Sequence, residues 1–233
     1  MIFERTKNLI GIDKFSKLQN ATVVVVGVGG VGGFTAEFLV RAGVGSIVII
    51  DYDKIDITNI NRQIIATTKN VGCYKVLELK QRLLDINPNL KIDAICDKLT
   101  KDNIAKYITE NVSYVVDCID DISNKVELIC YCKEKNYNIV SSMGVGNRYK
   151  YTTYQITDIY KTEQDKLAKV LRKKLKDRAI KSLYVVSSKD RPEEIKDGIQ
   201  SISYLPPMCA SVLSCFVVNR LIDDWKRRSN KSW

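Results

Sequence analysis

Residues 22–33 read TVVVVGVGGVGG, and residues 46–63 read SIVIIDYDKIDITNINRQ. Thr22 to Val26 is a short β-branched run, the pattern of a strand buried on both faces. It leads directly into Gly27, Gly29, Gly30, Gly32 and Gly33. Glycines at that point let the backbone turn tightly and approach a ligand, while the following helix points its first N–H groups at a phosphate. A second apolar strand, Ser46 to Ile50, ends at Asp51, about 20 residues beyond the glycines. That is where an acid meets a ribose hydroxyl. Strand, glycine turn and acid together specify a nucleotide site but leave the nucleotide open.

The loop after Asp51 narrows the choice. A nicotinamide enzyme that has bound its ribose has little use for an Asn and an Arg a few residues on, whereas a nucleoside triphosphate does. Arg62 can neutralise phosphate charge bidentately. Asn59 can fix the ribose or the phosphate chain. Lys75 adds a point charge at the start of the next helix.

The rest of the chain alternates strand and helix. The arm from Ile2 to Lys17 reads as helical. The loop from Tyr52 to Lys69 is long and polar, as functional loops often are. Gly72 to Ile86 is an amphipathic helix stopped by Asn87-Pro88, and Lys91 to Cys96 a third strand. Lys101 to Thr109 fits a short helix. Ser113 to Ile119 is a fourth buried strand ending in Asp120-Asp121. A helix from Ser123, its expected N-cap, to Lys135 precedes a fifth strand, Asn138 to Ser142. This order predicts an α/β fold, a Rossmann-like doubly wound and mainly parallel sheet over about residues 20–146. An extension over about 147–233 completes a single unit of 1–233. Its expected parts are a strand from Tyr149 to Thr157, a basic helix, a strand from Ser182 to Ser187 and a charged loop from Lys189 to Gly198. A strand from Ile199 to Leu205, closed by Pro206-Pro207, and a final apolar helix from Met208 to Trp225 end it.

Composition excludes several chemistries. The 233 residues contain no histidine, so no histidine base, metal ligand or triad member is available. The seven cysteines form no C-x-x-C pair, which argues against a structural zinc site. The expectation is of reduced thiols in a cytoplasmic protein without a membrane span. The net charge is +10. Between Lys166 and Lys181, KLAKVLRKKLKDRAIK holds eight basic residues and one acid. With Leu167, Val170, Leu171 and Leu175 on one face, the other faces are almost uniformly positive and suit a phosphate backbone.

Five motifs in order carry a family resemblance: G-V-G-G-V-G at Gly27 to Gly32, D-Y-D at Asp51 to Asp53, T-N-x-N-R-Q at Thr58 to Gln63, G-x-x-K at Gly72 to Lys75, and D-C-I-D-D at Asp117 to Asp121. Together they resemble the ubiquitin-activating-like adenylating enzymes. The resemblance implies ATP and Mg²⁺ as the cofactors. It implies that Gly27, Gly29, Gly30, Gly32, Asp51, Asp53 and Gln63 belong to the nucleotide site and that Asp51 binds ribose. Asn59, Arg62 and Lys75 would hold the triphosphate, and Asp120 the magnesium. Arg5 in F-E-R-T matches an arginine that family members insert into a neighbouring subunit's ATP site, which implies a homodimer. Within the family, TYQITDIYKT, the basic stretch and SSKDRPEE are most similar to the branch that activates a carboxylate on a modified adenosine in the tRNA anticodon loop and closes it into a ring. That implies catalysis by Arg5, Arg62, Lys75 and Asp120, with an acyl-adenylate as the family expectation. It also implies tRNA on the basic segment Lys166 to Lys181, with a sulfur-relay protein as a further candidate partner. Cys118 and Cys209 read as packing residues. Three rivals stand beside this reading: activation of the C-terminus of a sulfur-carrier or ubiquitin-like protein, a nicotinamide-dependent oxidoreductase, and a non-catalytic RNA-binding scaffold.

Overall fold

The computed structural model describes residues 2–223. Its centre is a seven-stranded sheet in the order β3-β2-β1-β4-β5-β7-β6. The strands are β1 (Thr22–Val26), β2 (Ser46–Ile50), β3 (Lys91–Ile95), β4 (Tyr114–Asp117), β5 (Ile139–Ser142), β6 (Tyr154–Asp158) and β7 (Tyr184–Ser188). All neighbours pair in parallel except β6 and β7, which are antiparallel. The strand order reverses between β1 and β4, so a crevice opens at their carboxyl ends.

Helices cover both faces. They are α1 (Glu4–Ile10), α2 (Ile12–Gln19), α3 (Gly30–Ala42), α4 (Lys75–Ile86), α5 (Ile104–Tyr107), α6 (Ile122–Glu134), α7 (Lys166–Asp177) and α8 (Leu205–Ile222). Alternation along β1 divides the core. Val23 and Val25 join Leu39, Leu79 and Leu213 of α3, α4 and α8 on one face. Val24 and Val26 join Ile104, Leu128 and Leu171 of α5, α6 and α7 on the other. Such a strand must be apolar at every position, which is why TVVVV has no polar alternation.

Several boundaries differ from the sequence expectation. The N-terminal arm is two helices, because Gly11 at φ 85° breaks it. The α6 cap is Asp121, not Ser123: its side chain accepts from Asn124 N–H at 2.8 Å. The strand expected from Tyr149 begins only at Tyr154. The strand expected over Ile199 to Leu205 is absent. Pro206 and Pro207 instead occupy the first turn of α8, where a missing N–H costs nothing. On α7, Ala168, Leu171 and Leu175 are buried while Val170 is exposed, so the buried stripe is narrower than expected. The final helix ends at Ile222, and the expected end at Trp225 lies outside the described residues.

One helix, α8, meets the length and hydropathy of a membrane span, contrary to the expectation of none; its mean hydropathy is 1.5 over 18 residues. Its packing explains that composition. It lies along α3 and against β5, β6 and β7, with Cys209, Ala210, Leu213 and Val217 fully buried.

Candidate active site

The turn after β1 is built around two close approaches. Gly27 has φ 81°, and a Cβ there would sit 2.7 Å from the Cys118 carbonyl oxygen. A Cβ on Gly32 would fall 1.8 Å from the Gly27 carbonyl oxygen. Any side chain at either position forces the loops apart. With Gly29 as its N-cap and Gly30 as its first residue, α3 begins without a capping side chain, leaving its first N–H groups directed outward.

Asp51 ends β2 and fixes this turn. Its Oδ2 accepts from Val28 N–H and its Oδ1 from Asp53 N–H, both at 2.8 Å. Burial is the largest influence on this carboxyl and raises its pKa, against the lowering effect of the two N–H groups and the Lys75 ammonium. The same acid expected to bind ribose therefore also couples the glycine turn to the following loop.

That loop is more ordered than its sequence suggested. Ile57–Asn59 forms a 3₁₀ turn with a reciprocal capping box: the Asp56 side chain accepts from Thr58 N–H, and Asn59 Oδ1 accepts from Asp56 N–H at 3.1 Å. Asn59 is buried by this task. Arg62 donates from Nη1 to the Thr58 carbonyl at 2.8 Å and to Asn61 Oδ1 at 3.1 Å, leaving its other N–H groups for a ligand. Gln63 is buried with Oε1 unpartnered among the described residues, and its amide nitrogen lies 3.7 Å from the Cβ position of Gly29. An orphaned polar atom over a glycine cradle fits a bound nucleotide with hydrogen-bond donors. Lys75 is buried at the start of α4 and pairs with Asp53 at 2.6 Å.

On the far side of the crevice, Asp120 lies exposed three residues beyond the end of β4. Tyr52 marks its proximity. Asp53 chiefly, with Asp120, Asp51 and Asp121, raises the Tyr52 phenol pKa, so these carboxylates share one edge. No group of three metal-ligating side chains occurs among the described residues. Mg²⁺ would fit here through one carboxylate plus phosphate oxygens, its usual manner with nucleotides. Arg5 stands apart. It is exposed on α1, a helix with no buried side chain, and has no ion-pair partner among the described residues.

A buried ion pair escaped the sequence reading. Lys125 Nζ lies 2.9 Å from Asp117 Oδ2, and both side chains are completely buried. The ammonium donates to the Ile119 carbonyl at 2.9 Å, while Asp117 Oδ1 accepts from Ile119 N–H at 3.1 Å. The turn carrying Cys118 to Asp120 is thus pinned from beneath. An acid ending a strand and a lysine eight residues on, one turn into a helix, was the available signal. These three thiols are unsuited to nucleophilic work: burial pushes Cys118 and Cys132 up to about 12 and raises Cys209 well above the ordinary thiol range.

The α7 helix starts at this same end. Asp165 caps it through Ala168 N–H and also accepts from Gly144 N–H, at 2.8 and 2.9 Å. The 12-residue helix then runs about 18 Å toward the opposite end of the strands. A cleft of ≈ 490 Å³ lies there, lined in part by Lys133, Arg178 and Lys181 and remote from the glycine turn.

Comparison with known proteins agrees with this arrangement. The ThiF family pattern matches residues 3–229. The chain belongs to the ThiF family. It is 40% identical over 199 residues to the tRNA threonylcarbamoyladenosine dehydratase of Bacillus subtilis, covering 85% of this chain and 78% of that protein. It is similar to the crystal structure of the Escherichia coli enzyme, TcdA, in complex with AMP, at TM-score 0.92 and 33% identity over 97% of this chain and 96% of that one. The TcdA complex with ATP superposes at TM-score 0.91 and 32% identity, with the same coverage. The mixed α/β architecture expected from the sequence is the architecture of this family.

Proposed function

We propose that this chain is an ATP-dependent dehydratase that closes N6-threonylcarbamoyladenosine in the tRNA anticodon loop into a ring. The observation that carries the reading is the likeness over nearly the full chain to TcdA, whose structures hold ATP and AMP. Around the corresponding turn, this chain sets Asp51, Gln63, Arg62 and Lys75 about a glycine cradle.

Carboxylate oxygen is a poor leaving group at neutral pH. The substrate carboxylate therefore attacks the α-phosphorus of ATP, the bond from that phosphorus to the bridging oxygen breaks, pyrophosphate leaves, and an acyl-adenylate forms. Arg62 and Lys75 offset the charge that develops on the phosphates. Asp120 would hold Mg²⁺, which would supply further positive charge there. The urea nitrogen of the same substituent then attacks the acyl carbon and expels AMP, losing its proton. The elements of one water have left the nucleoside. Intramolecular attack gains strongly from proximity, so neither histidine nor a low-pKa thiol is required.

The exposed face of α7 supports tRNA as the carrier of the substrate. Lys166, Lys169, Lys173 and Lys176 recur at helical spacing, all exposed and without ion-pair partners among the described residues. A second chain bringing Arg5 to the phosphates would complete the site as a homodimer.

The test is nucleoside analysis of tRNA incubated with the protein, ATP and Mg²⁺. Loss of one water from threonylcarbamoyladenosine is the expected result. An unchanged nucleoside with ATP consumed would point instead to a carrier-protein substrate. Thermal protection by NAD and not by ATP would overturn the reading.

A further inference from the structure

The loops after β5 and β7 form one laced lobe beside the nucleotide turn. Asn147, at φ 58°, donates its N–H to the Gln200 carbonyl at 2.8 Å and accepts at Oδ1 from Gln200 N–H at 2.6 Å. Glu193 N–H donates to the Asn147 carbonyl at 2.6 Å. The buried Arg148 guanidinium donates to the carbonyls of Gly144, Gly146 and Asp190. The Tyr204 hydroxyl donates to the Tyr149 carbonyl. This lacing holds the lobe's surface in place before any ligand arrives.

That surface carries rings with little to cover them. Tyr151 is 87% exposed, Tyr149 55% and Tyr204 44%. The Lys150 ammonium rests 5.4 Å from the Tyr149 ring centroid and is paired with Glu193 at 2.9 Å. The lobe is continuous with the nucleotide site: Asn61, beside Arg62, donates to the Ser201 carbonyl at 3.1 Å, and Pro206 Cβ lies 3.3 Å from the Cβ position of Gly30. Tyr204 stands two residues before Pro206, which brings that end of the lobe beside the glycine turn.

We propose that Tyr149, Tyr151 and Tyr204 form a stacking platform for the unpaired RNA bases that flank the modified adenosine. The proposal rests on the dehydratase reading above. Loop nucleotides are recognised by splaying their bases onto aromatic faces. Stacking tolerates any base, and its loss on alanine substitution weakens binding by about tenfold or more. The near balance of charge in the lobe, with Lys150 and Arg191 already paired to Glu193 and Glu194, leaves ring contact rather than phosphate attraction as its contribution. The lysines of α7 supply the phosphate contacts, and the lobe holds the bases.

The experiment compares full-length Tyr151→Ala and Tyr151→Phe, with Tyr149→Ala as a second site. Tyr151→Ala is expected to raise KM for tRNA about tenfold or more while KM for ATP stays unchanged, and Tyr151→Phe to restore it. An anticodon stem-loop carrying 2-aminopurine beside the modified adenosine should be quenched on binding the native protein and not on binding Tyr151→Ala. An unchanged KM for tRNA in both alanine variants, or a phenylalanine variant as impaired as alanine, overturns the platform. A change in oligomeric mass with RNA binding intact assigns the surface to a second copy of the chain and also overturns it. Failure of the native protein to dehydrate tRNA, with the quench retained, would refute the dehydratase reading and leave the platform standing.

Discussion

At the scale of single residues, the site depends on what burial does to ionisable groups. Cys118 touches the glycine turn, yet burial drives its thiol to about 12, leaving almost no thiolate at neutral pH. Cys118→Ala keeps the β-carbon that packs on Gly32 and should retain turnover within severalfold. A loss of about a thousandfold in a dehydration assay would instead mark the thiol as a nucleophile. Asp51 titrates with the opposite consequence. Its native pKa is raised, so the ionised form is penalised by folding: its stabilising contribution is present at low pH and fades as pH rises through the native pKa. A ribose hydroxyl donates more strongly to the ionised form than to the neutral acid. ATP affinity measured by calorimetry should therefore fall on acidification while an ordinary aspartate would still be charged. Affinity that stays flat down to the normal aspartate range would show that Asp51 does not accept from the nucleotide. The Gln63 Oε1, unpartnered among the described residues, could not be read from the sequence, since an orphaned atom is a property of packing.

At the scale of elements, the turn between β4 and α6 links the two sides of the crevice. Lys125 and Asp117 hold that turn with no exposure to solvent, so removing one charge strands the other. Lys125→Met should cost roughly 3–5 kcal/mol in urea unfolding. Combining it with Asp117→Leu should recover much of that loss, because a buried pair replaced by apolar groups is often neutral. If the double variant is no more stable than Lys125→Met, the pair is not the cause. The elements themselves were largely legible. TVVVV, SIVII and YVVD read as strands because parallel sheets bury both faces. The segment 199–207 misled because a Pro-Pro pair signals a stop to a strand and an opening to a helix alike. Only the docking of α8 along α3 decides between them. The Ser123 cap was misplaced by two residues because Asp121 and Ser123 are both good caps and the helix register chose the acid.

At the scale of the whole molecule, one chain leaves its N-terminus unexplained. Ile2, Leu9 and Ile12 are 64%, 85% and 67% exposed, and α1 buries nothing. Its fold is nevertheless orderly, with Phe3 against Phe15 at 5.8 Å between ring centroids. An apolar, basic arm of this kind gains stability by docking on another surface, and the homodimer proposed above, with each Arg5 at the other chain's phosphates, would give it one. Two inactive variants then distinguish a contribution in cis from one in trans. Arg5→Ala retains an intact Asp120 edge; Asp120→Ala retains an intact arm. Mixed and allowed to exchange subunits, half of the dimers would be hybrids, each with one complete site formed by the Arg5→Ala chain and the arm of its partner. Dehydration activity should return to about a quarter of the native level, the statistical share for a symmetric pair. If the mixture stays as inactive as its components while subunit exchange is confirmed by mass spectrometry, Arg5 acts within its own chain or not at all. The exposed arm would then need another explanation.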